Sequence, residues 1–251
     1  MAEIVYPPVI RFAKVAFRVL GLRNHVEGSE NVPTSGGAVL ACTHVSYLDF
    51  IFVGLGAYPT RRLVRFMAKK PVFDNKVSGT LMRGMHHIPV DRRAGAGAYD
   101  AALDALKDGE LVGMFPEATI SRSFEVKALK TGAARLARDA GVPLLPVTVW
   151  GTQRLWTKGR PRQFRKQFLR RGLPITVLVG PPVPMSPEED AETITARLAG
   201  SLRALLTRAQ SEYPDRPAST EDSWWLPAAL GGSAPSSDQA AALDRADGDR
   251  S

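Results

Sequence analysis

A single cysteine, Cys42, occurs among the 251 residues, which excludes an intrachain disulfide framework and is expected of a reducing compartment. Long apolar runs are also missing. No stretch of about 18 uncharged apolar residues occurs, so no transmembrane helix is expected. Near the start, Arg11, Lys14 and Arg18 break every segment that could serve as the apolar core of a secretory signal. Acid is absent from residues 154–171, while that stretch holds Arg154, Lys158, Arg160, Arg162, Arg165, Lys166, Arg170 and Arg171. What is present is ordinary for a globular chain: 44% hydrophobic and 23% charged residues, enough for a sizeable core. Its length fits one or two domains. A net charge of +8 points to anionic partners, and leaves nucleic acid, a membrane surface and phosphorylated small molecules open.

Residues 9–22 predict a basic amphipathic helix, with Arg11, Lys14 and Arg18 on one stripe and Phe12, Val15, Phe17, Val19 and Leu20 over much of the rest. Such a helix either packs on the domain or lies on a membrane. From 37 to 180, short apolar runs alternate with helical stretches. Strands are expected at 37–43, 64–68, 87–90, 110–115, 144–150 and 175–179, and helices at 47–56, 96–107 and 128–140. This alternation predicts an α/β fold, a mixed and mostly parallel sheet flanked by helices. Ser186, Pro187 and Glu189 read as a capping box opening a last helix that runs to about Gln210. Three regions are therefore expected: an N-terminal helix over 1–24, a central domain over 25–212, and a Pro/Ala/Ser/Asp-rich tail over 213–251, disordered in part and broken by Trp224-Trp225.

Four blocks carry candidate chemistry. In the first, His44-Val45-Ser46-Tyr47-Leu48-Asp49, residues five apart on one continuous helix would point about 140° away from each other. His44 is better placed in the turn after the strand, with Asp49 early in the following helix, where its carboxylate can fix the imidazole's tautomer and balance its charge. The bland alternative is a histidine satisfied at a strand end. Position favours the first reading, because ligands of α/β sheets gather at the carboxyl ends of strands. The second block runs from Gly84 to Arg92, whose planar fork suits phosphate; alone it would read as a surface Asp91–Arg92 pair. The third, Phe115-Pro116-Glu117-Ala118-Thr119, leads to Ser121 and Arg122 and offers an acceptor, a hydroxyl and a charge. The fourth, Val142-Pro143-Leu144-Leu145-Pro146-Val147, reads as core or as the wall of an acyl-chain site.

In order and spacing these blocks resemble the lysophosphatidic acid acyltransferase family, the 1-acyl-sn-glycerol-3-phosphate acyltransferases and their glycerolipid relatives. That family's HxxxxD, GxxxxxxDR-like, FPEGT and VPxxPV blocks stand here as HVSYLD, GMHHIPVDR, FPEAT and VPLLPV. Two positions depart from the pattern: Ala118 replaces the usual glycine, and Ile120 stands where an arginine associated with the acceptor's phosphate commonly follows. The resemblance implies the glycerolipid acyltransferase fold and acyl transfer from a thioester, acyl-CoA or acyl carrier protein, to the hydroxyl of lysophosphatidic acid, making phosphatidic acid. It implies His44 as general base and Asp49 as its orienting partner. Glu117 and Thr119 are expected to position the glycerol, and Arg92, Lys69 and Arg122 to hold the phosphate. No metal or cofactor is implied, and His86-His87 point to opposite faces of a strand, so they do not readily share an ion. Cys42, inside an apolar strand, reads as a buried hydrophobe and not as a nucleophile.

The basic run, mixed with Trp156, Phe164 and Phe168, suits anionic headgroups, an acidic carrier protein or the phosphates of coenzyme A. No nucleic-acid motif accompanies it. A peripheral location on the cytoplasmic side of the membrane is expected. Other acceptors (another lysophospholipid or a lipid alcohol), a thioesterase using the same base on water, and a non-catalytic anionic-lipid-binding protein remain as alternatives.

Overall fold

A computed structural model describes residues 3–248 apart from 92–96, 165, 167, 168 and 170. Helix α1 (Tyr6–Val19) leads into β1 (Arg23–Glu27) and β2 (Ala38–Cys42). Next come α2 (Asp49–Ala57), β3 (Val64–Lys69), α3 (Lys70–Asp74), α4 (Lys76–Gly84) and β4 (Ile88–Val90). They are followed by α5 (Gly97–Lys107), β5 (Leu111–Met114), α6 (Gly132–Ala140), β6 (Leu144–Trp150) and β7 (Pro174–Val179). Two later helices, α7 (Ala191–Ser211) and α8 (Ser237–Gly248), complete the strands and α-helices among the described residues.

The strands form one sheet in the order β1-β7-β6-β2-β5-β3-β4. Strands β6, β2, β5, β3 and β4 run parallel, with Leu40 opposite Gly113 on one side and Leu145 on the other. β7 runs antiparallel to β6, and β1 pairs parallel to β7. The sheet is therefore mixed and mostly parallel, as the alternation of runs predicts.

Strand β2 shows why this sequence builds a three-layer core. Its side chains alternate, so Ala38, Leu40 and Cys42 join Phe52, Val147 and Val177 on one face, where Phe17 of α1 stacks on Phe52 at 4.6 Å. Val39 and Ala41 face Leu106, Ala133 and Leu198 of α5, α6 and α7 on the other. Every residue of β2 is buried, as for a central parallel strand. Gly113 on β5 is glycine because a Cβ there would lie 2.5 Å from the Phe66 ring.

Several boundaries differ from the sequence-based expectations. Helix α1 starts three residues early, because Pro7 and Pro8 lack the N–H groups that a first turn leaves unpaired anyway, and the chain turns out of the helix at Gly21 with φ 64°. Strand β1 carries a polar, largely exposed pattern and gave no apolar signal. Helix α6 begins at Gly132, not at 128, because residues 115–131 cross the sheet edge as an irregular loop. The Ser186–Glu189 box forms only a turn, with Glu189 accepting from the Ser186 N–H at 3.2 Å. Asp190 is the N-cap of α7, its carboxylate accepting the Thr193 N–H at 2.7 Å.

The tail also needs correction. Residues 213–248 pack on the domain: Tyr213, Trp224 and Trp225 are buried with Trp150, Leu178 and Leu206. Aromatic area supplies the apolar burial that the Pro/Ser/Asp composition conceals.

Candidate active site

Parallel strands bring their carboxyl ends to one edge, and that edge gathers the sequence blocks. β2 ends before His44, β5 before Glu117, β3 at Lys69 and β6 before Thr152. Residues more than a hundred positions apart thus share one sheet edge, as ligand sites in such sheets do.

His44 lies in the turn after β2, and Asp49 is the first residue of α2. Asp49 Oδ2 is 3.0 Å from His44 Nδ1 and accepts the backbone N–H groups of Val45 at 2.8 Å and Ser46 at 2.7 Å. Its Oδ1 accepts the Thr152 hydroxyl at 2.6 Å. A wholly buried carboxylate with this many donors is fixed in rotamer and paired at both oxygens. Since Asp49 only accepts, His44 Nδ1 carries the hydrogen, and Nε2 keeps the lone pair. The imidazole stacks on Phe115 at 4.1 Å and remains 19% exposed. The arrangement leaves Nε2 as one basic nitrogen on a partly exposed ring and stabilises the imidazolium that forms when it takes a proton.

Glu117 supports this turn from β5. Its Oε1 accepts the His44 N–H at 2.9 Å and its Oε2 the Lys127 N–H at 3.2 Å. Burial pushes its pKa up to about 7, against the pull of those two amides. In the structure its carboxylate thus ties two loops together, whereas the sequence block read it as a substrate acceptor. Ala118 next to it has φ 62°, the left-handed region that favours glycine, which accounts for the glycine usual at this position of the block.

The remaining predicted residues are placed less uniformly. Thr119 Oγ1 accepts from Lys127 Nζ at 2.5 Å. Arg122 reaches Asp244 at 3.3 Å and also pairs with Asp247, both from α8. Lys69 is exposed at the end of β3 on the same sheet edge, in register with Val90. Arg92 lies outside the described residues. His87 is buried and accepts the Phe66 N–H at Nδ1, so it belongs to the core, and burial lowers its pKa to about 4. Cys42 is wholly buried, and burial raises its pKa well above the usual thiol value, which keeps it from acting as a nucleophile.

Only part of the basic run turns inward. Arg154 is buried against Asp215 at 2.6 Å and over the Trp225 ring at 4.4 Å. Lys158 binds Asp244 at 2.7 Å, and Arg160 lies over Trp224 at 4.6 Å. The run was expected to be a basic surface for headgroups; the tail covers Arg154 and part of Lys158, while Arg160, Arg162, Lys166 and Arg171 stay exposed. Arg165 and Arg170 lie outside the described residues. Sequence reasoning also missed Thr152, whose hydroxyl meets Asp49 across 103 positions with no local motif to mark it. The loop after it is tied to the His44 turn by three hydrogen bonds, from Ser46 Oγ at 2.6 Å and the Tyr47 N–H at 3.2 Å to the Trp156 carbonyl and from Thr157 Oγ1 to the Val45 carbonyl at 2.7 Å.

A family model described as Acyltransferase matches residues 23–150, just over half of the chain, and the chain belongs to that family. Within it, the relatives it resembles are 1-acyl-sn-glycerol-3-phosphate acyltransferases. The one from Bacillus subtilis is 37% identical over 148 residues, 57% of this chain and 72% of that protein. The one from Borreliella burgdorferi is 29% identical over 149 residues, and the match covers 58% of each chain. The crystal structure of the 1-acyl-sn-glycerophosphate (LPA) acyltransferase PlsC from Thermotoga maritima superposes with a TM-score of 0.67 at 23% identity, covering 83% of this chain and 81% of that one. That likeness shows the shared fold.

Proposed function

We propose that this enzyme moves a fatty acyl group from a thioester, acyl-CoA or acyl carrier protein, to the free hydroxyl of lysophosphatidic acid, forming phosphatidic acid in phospholipid synthesis. The observation that carries the reading is the His44–Asp49 contact of 3.0 Å, which uses Nδ1 and leaves Nε2 of a partly exposed ring as its basic nitrogen. The names of the relatives support the acceptor.

In the proposed step, Nε2 of His44 takes the hydroxyl proton as the oxygen forms its bond to the thioester carbonyl carbon. Asp49 balances the imidazolium. As the tetrahedral intermediate collapses, the C–S bond breaks and the imidazolium returns its proton to the departing thiolate. Thr152 holds Asp49, and Glu117 positions the His44 turn through its backbone N–H. Neither needs to touch substrate.

Acceptor and product are both lipids, so the site must meet a bilayer. Among the described residues, no helix is long and apolar enough to cross a membrane. We infer peripheral attachment on the cytoplasmic side. Supporting this, α1 exposes Phe12, Val15 and Val19 on one stripe, flanked by exposed Arg11 and Arg18.

The test is thiol release from palmitoyl-CoA with and without lysophosphatidic acid. Release is expected to depend on the acceptor and to fall by roughly 10²–10⁴-fold in His44→Ala. Free fatty acid without acylated acceptor would assign a hydrolase instead. Silence with CoA and carrier-protein donors and a panel of lysophospholipids would leave a lipid-binding protein.

A further inference from the structure

Helix α8 is held to the domain mainly by charge. Along it, Ala240 is buried, whereas Leu243 is 43% exposed and most other positions face solvent. Twelve residues is short for a helix to persist in water unaided, so its docking contacts sustain it. Residues 226–234 are fastened to the domain by backbone hydrogen bonds such as Ala234 N–H to the Leu226 carbonyl, so the short Pro235-Ser236 link before α8 is where the chain can pivot.

Its docking contacts fall on three segments that are hydrogen-bonded to the His44 turn. Asp244 accepts from Lys158 at 2.7 Å, Lys127 at 3.1 Å and Arg122 at 3.3 Å. Asp247 binds Arg122 and, at 3.2 Å, Lys158. Each cation belongs to a segment tied to the His44 turn. The Ser121 N–H donates to the His44 carbonyl at 2.7 Å, next to Arg122. The Lys127 N–H shares Glu117 with the His44 N–H, and Thr157, next to Lys158, donates to the Val45 carbonyl. Gly159, next to Lys158, has φ 78°, a backbone conformation that favours glycine, and the end of the Arg122 side chain lies against it.

We propose that α8 is an internal acidic plug, its Asp244 and Asp247 carboxylates occupying a phosphomonoester site made by Arg122, Lys127 and Lys158, and that the phosphate of the lipid acceptor displaces it. The proposal rests on the acyl-transfer reading above. The charge match supports it. Two carboxylates carry what a phosphomonoester carries, about −1.5 to −2, and three convergent cations repel one another unless an anion of that size sits among them. An aspartate pair on a solvent-facing helix is a ligand that can leave, unlike the tail's buried tryptophans.

The test uses the full chain and inorganic phosphate as probe. In Asp244→Asn/Asp247→Asn, phosphate is expected to bind roughly tenfold tighter than in wild type, and to raise the melting temperature more. Adding Lys158→Gln should abolish that gain, and Lys158→Arg should keep most of it. In turnover, the double variant should lower KM for lysophosphatidic acid. Lys158→Gln should raise it, with the KM values for palmitoyl-CoA and for a phosphate-free monoacylglycerol unmoved. Equal phosphate affinity in wild type and the double variant overturns the plug. A shift confined to the palmitoyl-CoA KM overturns the acceptor assignment. Tighter phosphate binding with no acyl transfer by any variant sinks the enzymatic reading and leaves the plug standing.

Discussion

His87 and Glu117 lie in the same domain with oppositely perturbed protonation, and both can be read out. Burial lowers the His87 pKa to about 4, so between about pH 6.5 and 4 the unfolded chain binds the extra proton. The stability His87 contributes is therefore fully present above pH 6.5 and is lost as pH falls toward 4, at up to about 1.4 kcal/mol per pH unit. Glu117 has the other sign: with its pKa raised to about 7, the folded state holds the proton, and stability falls as pH rises from about 4.5 through 7. Between about pH 4.5 and 6.5 the two slopes oppose each other, so urea unfolding should show stability falling with rising pH in His87→Gln and rising with pH in Glu117→Gln, with wild type flatter than either. Ala118 gives a second residue-scale prediction. Its left-handed backbone costs an L-residue roughly 1 kcal/mol, while glycine adds chain entropy of about 0.4–1 kcal/mol to the unfolded state. Ala118→Gly should thus change stability by less than about 1 kcal/mol and leave the melting temperature at or slightly above wild type. A loss of several degrees would show that the methyl group packs productively. The His44–Asp49 pair was legible at this scale because a five-residue spacing across a strand-to-helix turn is a local feature. Thr152 was not, because a hydrogen bond across 103 positions leaves no periodicity.

At the scale of elements, α1 is two helices in one. Phe17 and Tyr6 pack inward, the latter donating to the Val64 carbonyl at 2.7 Å, while Phe12, Val15 and Val19 face out. The amphipathic pattern of residues 9–22 was read as either packed or membrane-facing, and the helix has a face for each. Exposed Val77 and Leu81 on α4 add a second apolar stripe, and α4 shares a small core with Tyr6 through Phe73, Met82 and Met85. Phe12→Ser/Val15→Ser should therefore leave the melting temperature within a few degrees of wild type while weakening vesicle affinity about a hundredfold or more, since each side chain withdraws about 1.5–3 kcal/mol of apolar burial. Unchanged cosedimentation would remove α1 from the contact face. The short helices α3 and α4 escaped the sequence reading because nine or fewer residues give little periodicity and Pro71 breaks the run.

For the whole molecule, the net charge of +8 sets the long-range behaviour, and the fold decides where that charge acts. Asp215, Asp244 and Asp247 neutralise part of the 154–171 run, so fewer cations remain for a membrane than the sequence count implies. Binding to phosphatidylglycerol vesicles should still weaken as salt rises from about 0.1 to 0.5 M, because exposed charges are screened beyond a Debye length that shrinks from about 10 Å toward 3 Å at 1 M. Equal binding to neutral vesicles would reject the electrostatic contribution.

The sequence by itself determined the layered α/β architecture, the central strands and the strand-to-helix turn bearing His44 and Asp49. Hydrophobic alternation, strand length and turn spacing are local properties of a chain. Tertiary structure alone decided which distant groups complete the site: Thr152 on Asp49, Lys127 and Lys158 beside the His44 turn, and the acidic α8 upon them. It also decided that Trp224 and Trp225 face the core. Charge pairing and aromatic burial depend on distances through space, and a count of charges along the chain carries no record of which opposite charge will lie within about 3 Å.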